Sequence, residues 1–408
     1  MFSSRTPDNL TPNRWTRALA ELRRAGRAFV DLTESNPTRA QFDYPADLLA
    51  HLADPRALTY APDPFGMSDA RAAVARDYRR RGVEIDPTRL VLTSSTSEAY
   101  SFVFKLLADP GDEVLVPRPS YPLFEHLTRL DAIVMRPYDL EYHGRWSIDF
   151  GSVERAMSSR TRAILIVTPN NPTGSFVRAP ELDRLAALCA DRSVAHAGQA
   201  VAIVADEVFV DYAIDPEAAR GAARTADRRD VLTFSFGGLS KAIGLPQAKL
   251  GWIAIAGPDR LVDEAIARLQ LVCDAYLSVS TPVQIAAADL LSRGASVRAQ
   301  IQARIAANLA RLQSMFEPLP ACRVLHVEGG WYAAVRVPSL QPEEDLVVDL
   351  LQSRGVAVHP GYFFDFPHGS HLIVSLIVPE PAFTDGIRRV VRHFDCTAGD
   401  VPSSHHDD

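Results

Sequence analysis

The sequence predicts an α/β fold: a three-layer sandwich with a mainly parallel sheet, accompanied by a smaller α+β domain. Two observations carry this. From about residue 90, short apolar runs alternate with amphipathic helical stretches, the pattern of a parallel sheet with helices on both faces. After about residue 290 the texture changes to one long helical stretch and then three strand-like runs. A chain of 408 residues, 47% hydrophobic and 23% charged, has enough apolar material for a core of this size.

The elements follow in order. Trp15, Leu19 and Leu22 recur at helical spacing, ahead of a short strand, FVDL, and a loop, ESNPTR. The alternation then reads RLVLT and SEAYSFVFKLL; EVLVP and YPLFEHLTRL; AILIV and ELDRLAALCA; AVAIVAD; VLTFSF; KLGWIAIAG and DEAIARLQLV. The segment after Asp211, IDPEAARGAARTADRRD, has few large apolar residues and reads as a surface connection with a short helix. The helical stretch RAQIQARIAANLARLQSMF leads to the strands VLHV, WYAAVRV and LIVSLIV. The expected division is a large domain over 45–290 and a small one from 1–44 and 291–396. Residues 397–408 are expected to be a disordered tail, with His405 and His406 solvated rather than binding metal.

A net charge of −7 implies no basic surface and argues against nucleic acid as a partner. The N-terminus lacks an apolar signal core, and no uncharged apolar run is long enough to span a bilayer. Cys189, Cys273, Cys322 and Cys396 lie far apart with no CxxC pair, so they read as isolated thiols. A cytoplasmic enzyme without a metal site is the expectation.

In open α/β sheets, ligands bind beyond the carboxyl ends of the strands. Five predicted strands end in SSTSE, RPSYP, TPNNPTG, DEVF and GGLSK. Ser95 and Glu98 have capping-box spacing, and a helix N-terminus there suits a phosphate, although a plain cap explains the motif by itself. Asp206 ends a strongly apolar strand, where a carboxylate needs a partner. Lys241 sits in a glycine-bordered turn straight after a buried strand, a setting for a desolvated, reactive amine. A phosphate cup, a carboxylate, an aromatic plate and such a lysine are the parts that hold pyridoxal phosphate.

In these motifs the sequence resembles the class I/II aminotransferases of the fold-type I pyridoxal-phosphate enzymes. The likeness covers roughly residues 30 to 380, through YAPDPFG, TSSTSEA, RPSYP, TPNNPTG, ADEVF, GLSKAIGLP and EGGWYAAVRVP in that order. It implies that Lys241 forms the Schiff base and shuttles the substrate proton. Asp206 pairs with the pyridinium nitrogen, Asn171 bonds the ring oxygen and Tyr121 stacks on the ring. Ser95, Thr96 and Ser240 hold the phosphate. Tyr60 reaches the phosphate of a neighbouring subunit, which implies a homodimer with shared sites.

Four positions depart from the family pattern. Lys249 stands where an arginine grips the phosphate, keeping charge but losing the bidentate fork. Gly238 replaces a serine. Phe209 replaces the tyrosine that bonds the ring oxygen, a loss expected to raise the pKa of the Schiff base. Ile373 stands where an arginine clamps the substrate carboxylate. Arg39 is a candidate substitute, with a surface role as the alternative; Asn36 and Tyr362 are the other candidate substrate residues. His359, His371 and Trp331 are further candidates for the substrate side, with structural roles as the plainer reading. The leading expectation is an aminotransferase moving an amino group between an amino acid or amine and a 2-oxo acid or other carbonyl acceptor by a ping-pong cycle. A lyase or decarboxylase on the same scaffold is the alternative. A non-catalytic regulatory module is disfavoured, because residues 1 to 30 are too few for a winged helix.

Overall fold

The computed structural model describes residues 1–195 and 200–398. Eight strands form the larger sheet, in the order Leu90–Thr93, Gly251–Ala256, Thr233–Gly238, Ala202–Asp206, Thr161–Val167, Glu113–Arg118, Val134–Tyr142, Trp146–Ile148. The central pairings are parallel. Gly251–Ala256 runs against both neighbours, and Trp146–Ile148 returns as a hairpin on one edge. Composition alone gave the run KLGWIAIAG no direction; the pairing supplies it.

The middle strands are apolar at every position because both faces are covered. In Ala202–Asp206, Val204 packs into one apolar cluster while Ile203 and Ala205 pack into another on the opposite face. Leu165 and its neighbours Ile164 and Ile166 divide the same way. Gly237 permits a close approach: a Cβ there would lie 2.5 Å from the Trp252 indole nitrogen.

Register aligns the carboxyl ends. Val167 pairs with Asp206, Asp206 with Phe236, Gly238 with Gly251, and Gly251 with Thr93. Two antiparallel steps make Leu90–Thr93 parallel to Thr233–Gly238, so five chain reversals open on one edge of the sheet.

A second sheet has four strands, ordered Arg323–Val324, Tyr332–Val337, Ser370–Ser375, His359–Pro360. The run LIVSLIV supplies only part of one strand. At Leu376 the chain leaves the ladder and its N–H bonds the Trp331 carbonyl at 2.7 Å. The helix Arg14–Arg24 buries Trp15, Ala18, Leu19 and Leu22 in the same apolar cluster as Val335, Leu350 and Leu372. Val30–Asp31 pairs in parallel with Val356–Ala357, which ties the N-terminal segment to this part of the chain. The long helix Ala295–Phe316 starts at a bend at Gly294, where a Cβ would meet Ile243 at 2.6 Å.

The short helix expected after Asp211 is Pro216–Arg220, capped by Asp215. The last helix, Glu380–Ala398, runs two residues into the expected tail; the remainder, with His405 and His406, lies outside the described residues. Cys189, Cys273 and Cys322 are buried and unpaired. No single helix among the described residues is long and apolar enough to cross a membrane.

Candidate active site

All five chain reversals meet at a cavity of about 250 Å³. Its lining includes Ser95, Thr96 and Ser97 from the first, Tyr121 from the second and Asn171 from the third. Asp206, Val208 and Phe209 come from the fourth; Gly238, Ser240 and Lys241 come from the fifth. Lys241 and Asp206, 35 positions apart in sequence, therefore face one space.

Local chemistry sets each reversal. Ser95 caps the helix Thr96–Leu107, its Oγ accepting the Glu98 N–H at 3.1 Å. The Glu98 carboxylate reaches back to the Ser94 N–H at 2.6 Å, one residue before the position a capping box uses. The first amides of the helix, at Thr96 and Ser97, have no intrahelical acceptor and point outward from a positive dipole end. Gly251 backs onto this cup: a Cβ would lie 3.1 Å from the Ser95 carbonyl carbon and 3.0 Å from the Thr93 hydroxyl. In the third reversal, Asn170 Oδ1 accepts from the Thr173 N–H at 3.3 Å and hydroxyl at 3.0 Å, which presents Asn171. The Asn171 Oδ1 is buried and has no partner, the mark of a polar group that a ligand completes.

Asp206 is 7% exposed. Its Oδ1 accepts the Val208 N–H at 3.1 Å and its Oδ2 accepts the Tyr100 hydroxyl at 2.9 Å. Burial pushes its pKa up, and those two donors and Lys241 pull it back. Lys241 moves the opposite way. Burial lowers its pKa and Asp206 partly offsets this, so the amine is more often neutral than a solvated lysine. Its Nζ lies 5.5 Å from the Trp331 ring centre and 5.9 Å from that of Phe209. Its backbone is held as well: Tyr212 donates to the Lys241 carbonyl at 2.5 Å. That bond turns Tyr212 away from the role that Phe209 lacks.

Other sequence candidates lie elsewhere. Lys249, in a left-handed turn, and Tyr60, 73% exposed, are outside the cavity lining. Asn36 spends its side chain capping the turn Pro37–Arg39, and Arg39 is exposed. Tyr362 lines an adjoining cavity that shares Tyr121. Ile373 is buried among apolar side chains. His359 is half-buried and His371 buried, each with its pKa lowered to about 4 by desolvation, and neither lines the cavity. Gly238 has a steric reason to replace serine: a Cβ would lie 3.2 Å from the Gly251 Cα and from the Leu250 oxygen. Sequence reasoning missed Ser35, Ser97 and Tyr332 on the cavity wall, and Tyr100 behind Asp206. Ser35 and Tyr332 fall inside quoted motifs, so proximity to those motifs was the available signal; Tyr100 offered none beyond a place on an apolar helix.

The family model for aminotransferase class I and II matches residues 27–376. The chain belongs to this family. The alanine aminotransferase of Mycobacterium tuberculosis is 27% identical over 364 residues, covering 86% of this chain and 82% of that protein. The glutamate-pyruvate aminotransferase AlaA of Escherichia coli is 26% identical over 365 residues, covering 87% and 88%. A crystal structure of an aminotransferase from Escherichia coli superposes with a TM-score of 0.82 over 97% of this chain and 98% of that one; at 22% identity it speaks to the fold. This family member is an enzyme that transfers amino groups, on a fold-type I scaffold.

Proposed function

We propose that this aminotransferase holds pyridoxal phosphate in the cavity and exchanges amino groups between an amino acid and a 2-oxo acid. The observation that carries the reading is the meeting of Lys241 and Asp206, from separate strand ends, on one cavity. The Asn171 carboxamide on the cavity wall, whose NH2 can donate to the ring oxygen, and the glycine-backed cup at Ser95 fit the ring and the phosphate. When bound, the cofactor's ring accepts the electron pair left as the substrate Cα loses its proton.

The chain's own groups do the rest. Lys241 Nζ, kept partly neutral by burial, would hold the cofactor by condensing with its aldehyde, with water leaving. With a substrate amine in its place, the freed Nζ would be the base that takes the Cα proton and the acid that gives it back on the cofactor side. Asp206 accepts the ring N–H and holds that proton in place. Tyr121 covers one ring face, and Asn171 bonds the ring oxygen. Ser95, Thr96 and Ser240, with the helix N-terminus, take the phosphate. Ser35 and Tyr332 supply hydroxyls to the cavity wall, and Ile373, buried in an apolar cluster, offers no cation. The same reading divides the chain near 45 and 290 into large and small domains, with the cavity between the two sheets' contributions.

A homodimer belongs to this proposal. Tyr60, exposed and outside its own cavity lining, would serve a partner's phosphate, while Lys249 would bring positive charge toward the phosphate of its own subunit. A cytoplasmic location also belongs to it, supported by three buried, unpaired thiols.

The test is reconstitution with pyridoxal phosphate, followed by a screen of amino acids and 2-oxo acids. Visible absorbance of the lysine-linked cofactor and stoichiometric pyridoxamine phosphate with an amino donor are expected. Both vanish in K241A. Turnover retained in K241A removes Lys241 from its role.

A further inference from the structure

Tyr100 enters none of the roles above, yet it makes the one side-chain hydrogen bond that Asp206 accepts from a neutral group among the described residues. The residue lies on the helix Thr96–Leu107 and is 2% exposed. Its ring is fixed edge-on against Phe236, with centroids 4.8 Å apart, and against Phe124 at 5.4 Å. Phe104 closes a third side at 5.8 Å. An apolar setting of this kind explains a phenylalanine. A tyrosine there must place its hydroxyl, and the acceptor it finds is Asp206 Oδ2.

We infer that Tyr100 is a positioning residue: its phenol fixes the Asp206 carboxylate so that the remaining lone pairs meet the ring nitrogen of the bound cofactor. The inference rests on the function proposed above. The geometry supports it in two ways. Each Asp206 oxygen receives one donor, Val208 N–H on Oδ1 and Tyr100 O–H on Oδ2, so the carboxylate cannot rotate freely. The bond to Tyr100 also favours the charged carboxylate against the burial that disfavours it. Tyr121 and Lys241 face the same carboxylate, and Glu207 adjoins it in the chain. Only Lys241 among these is cationic, and that amine is committed to the cofactor's aldehyde carbon. With the Val208 N–H, the phenol thus keeps Asp206 charged and oriented while Lys241 works elsewhere.

The experiment compares two ligands in wild type and Y100F: pyridoxal phosphate, and its 1-deaza analogue, which carries C–H in place of the ring nitrogen. Phenylalanine preserves the aromatic packing and deletes one oxygen. Y100F is expected to weaken pyridoxal phosphate by about tenfold or more, the effect of removing a hydrogen bond to a charged group. Binding of the deaza analogue is expected to stay unchanged, which also shows that the cavity is intact. Equal losses for both ligands make Tyr100 a packing residue and overturn the inference, as does wild-type affinity for both. A wild-type protein that binds neither ligand overturns the proposed function itself, a separate outcome.

Discussion

Removing the carboxylate of Glu328 should cost this protein both stability and cofactor affinity. Glu328 is 2% exposed. Its Oε2 accepts the Phe176 N–H at 2.8 Å, and its Oε1 pairs with Arg178. Arg178 also donates to the Ala218 carbonyl at 2.8 Å. The Glu328 backbone oxygen accepts from Ile214 at 2.8 Å and Asp215 at 2.9 Å, and its N–H donates to Gly174 at 3.1 Å. Glu328 thus joins the reversal that presents Asn171 to the strand that begins at Tyr332. In E328A the Phe176 N–H loses its acceptor and Arg178 loses its counter-charge. Breaking a buried pair costs about 3–5 kcal/mol. Unfolding entropy of about 2.1 cal/mol/K per residue gives roughly 0.86 kcal/mol/K for 408 residues. A loss of about 4 kcal/mol then lowers the melting temperature by about 5 °C. E328Q keeps an acceptor for one donor and should lose about half as much. Thermal melts by circular dichroism, with and without pyridoxal phosphate, measure this. An E328A melt within about 1 °C of wild type would refute the clasp.

Three further outcomes are expected. G251A drives a methyl against the Ser95 backbone and should weaken pyridoxal phosphate about tenfold in a fluorescence titration, leaving amino-donor affinity of the loaded enzyme unchanged; the close contacts at 3.0 and 3.1 Å set the direction. D206N removes the charge opposite the ring nitrogen while keeping the shape, and should lower kcat by about a hundredfold or more in a coupled assay. Acid should destabilise the fold through His359 and His371, whose folded pKa values are about 4. Both are neutral in either state above the unfolded value of about 6.5, so stability is full there. Below it the unfolded chain binds protons first, and stability falls until the folded pKa is passed. At pH 5 the loss is about 2 kcal/mol for each histidine. Urea melts at pH 7 and pH 5 measure it, and H371Q should lose about 2 kcal/mol less than wild type; an equal loss in both proteins would remove His371 from this account.

The larger sheet was legible because its strands are short, apolar throughout and separated by helices of clear periodicity. The same regularity made the strand ends visible, and with them Ser95, Tyr121, Asn171, Asp206 and Lys241. The strand Gly251–Ala256 shows the limit: its apolar residues identify a buried strand, and only its pairing fixes an antiparallel direction. Arg39 and Tyr362 show another. Each lies within a few residues of a position that matters, yet one is exposed and the other turns to Glu344 and an adjoining cavity. Tyr100 and Glu328 were invisible for the opposite reason. Tyr100 sits on the buried stripe of a helix and Glu328 between Val327 and Gly329, and their partners lie 106 and 150 positions away.

By itself, the sequence determined which residues end strands, which turn, and which carry reactive groups. Those properties are local, set by backbone preference and hydrophobic period over a few residues. Tertiary structure decided which groups share a cavity and which donors occupy each lone pair. It also decided how far burial moves Lys241 and Asp206 from their solution behaviour. These depend on distances and desolvation between segments far apart in the chain, and no local pattern encodes them.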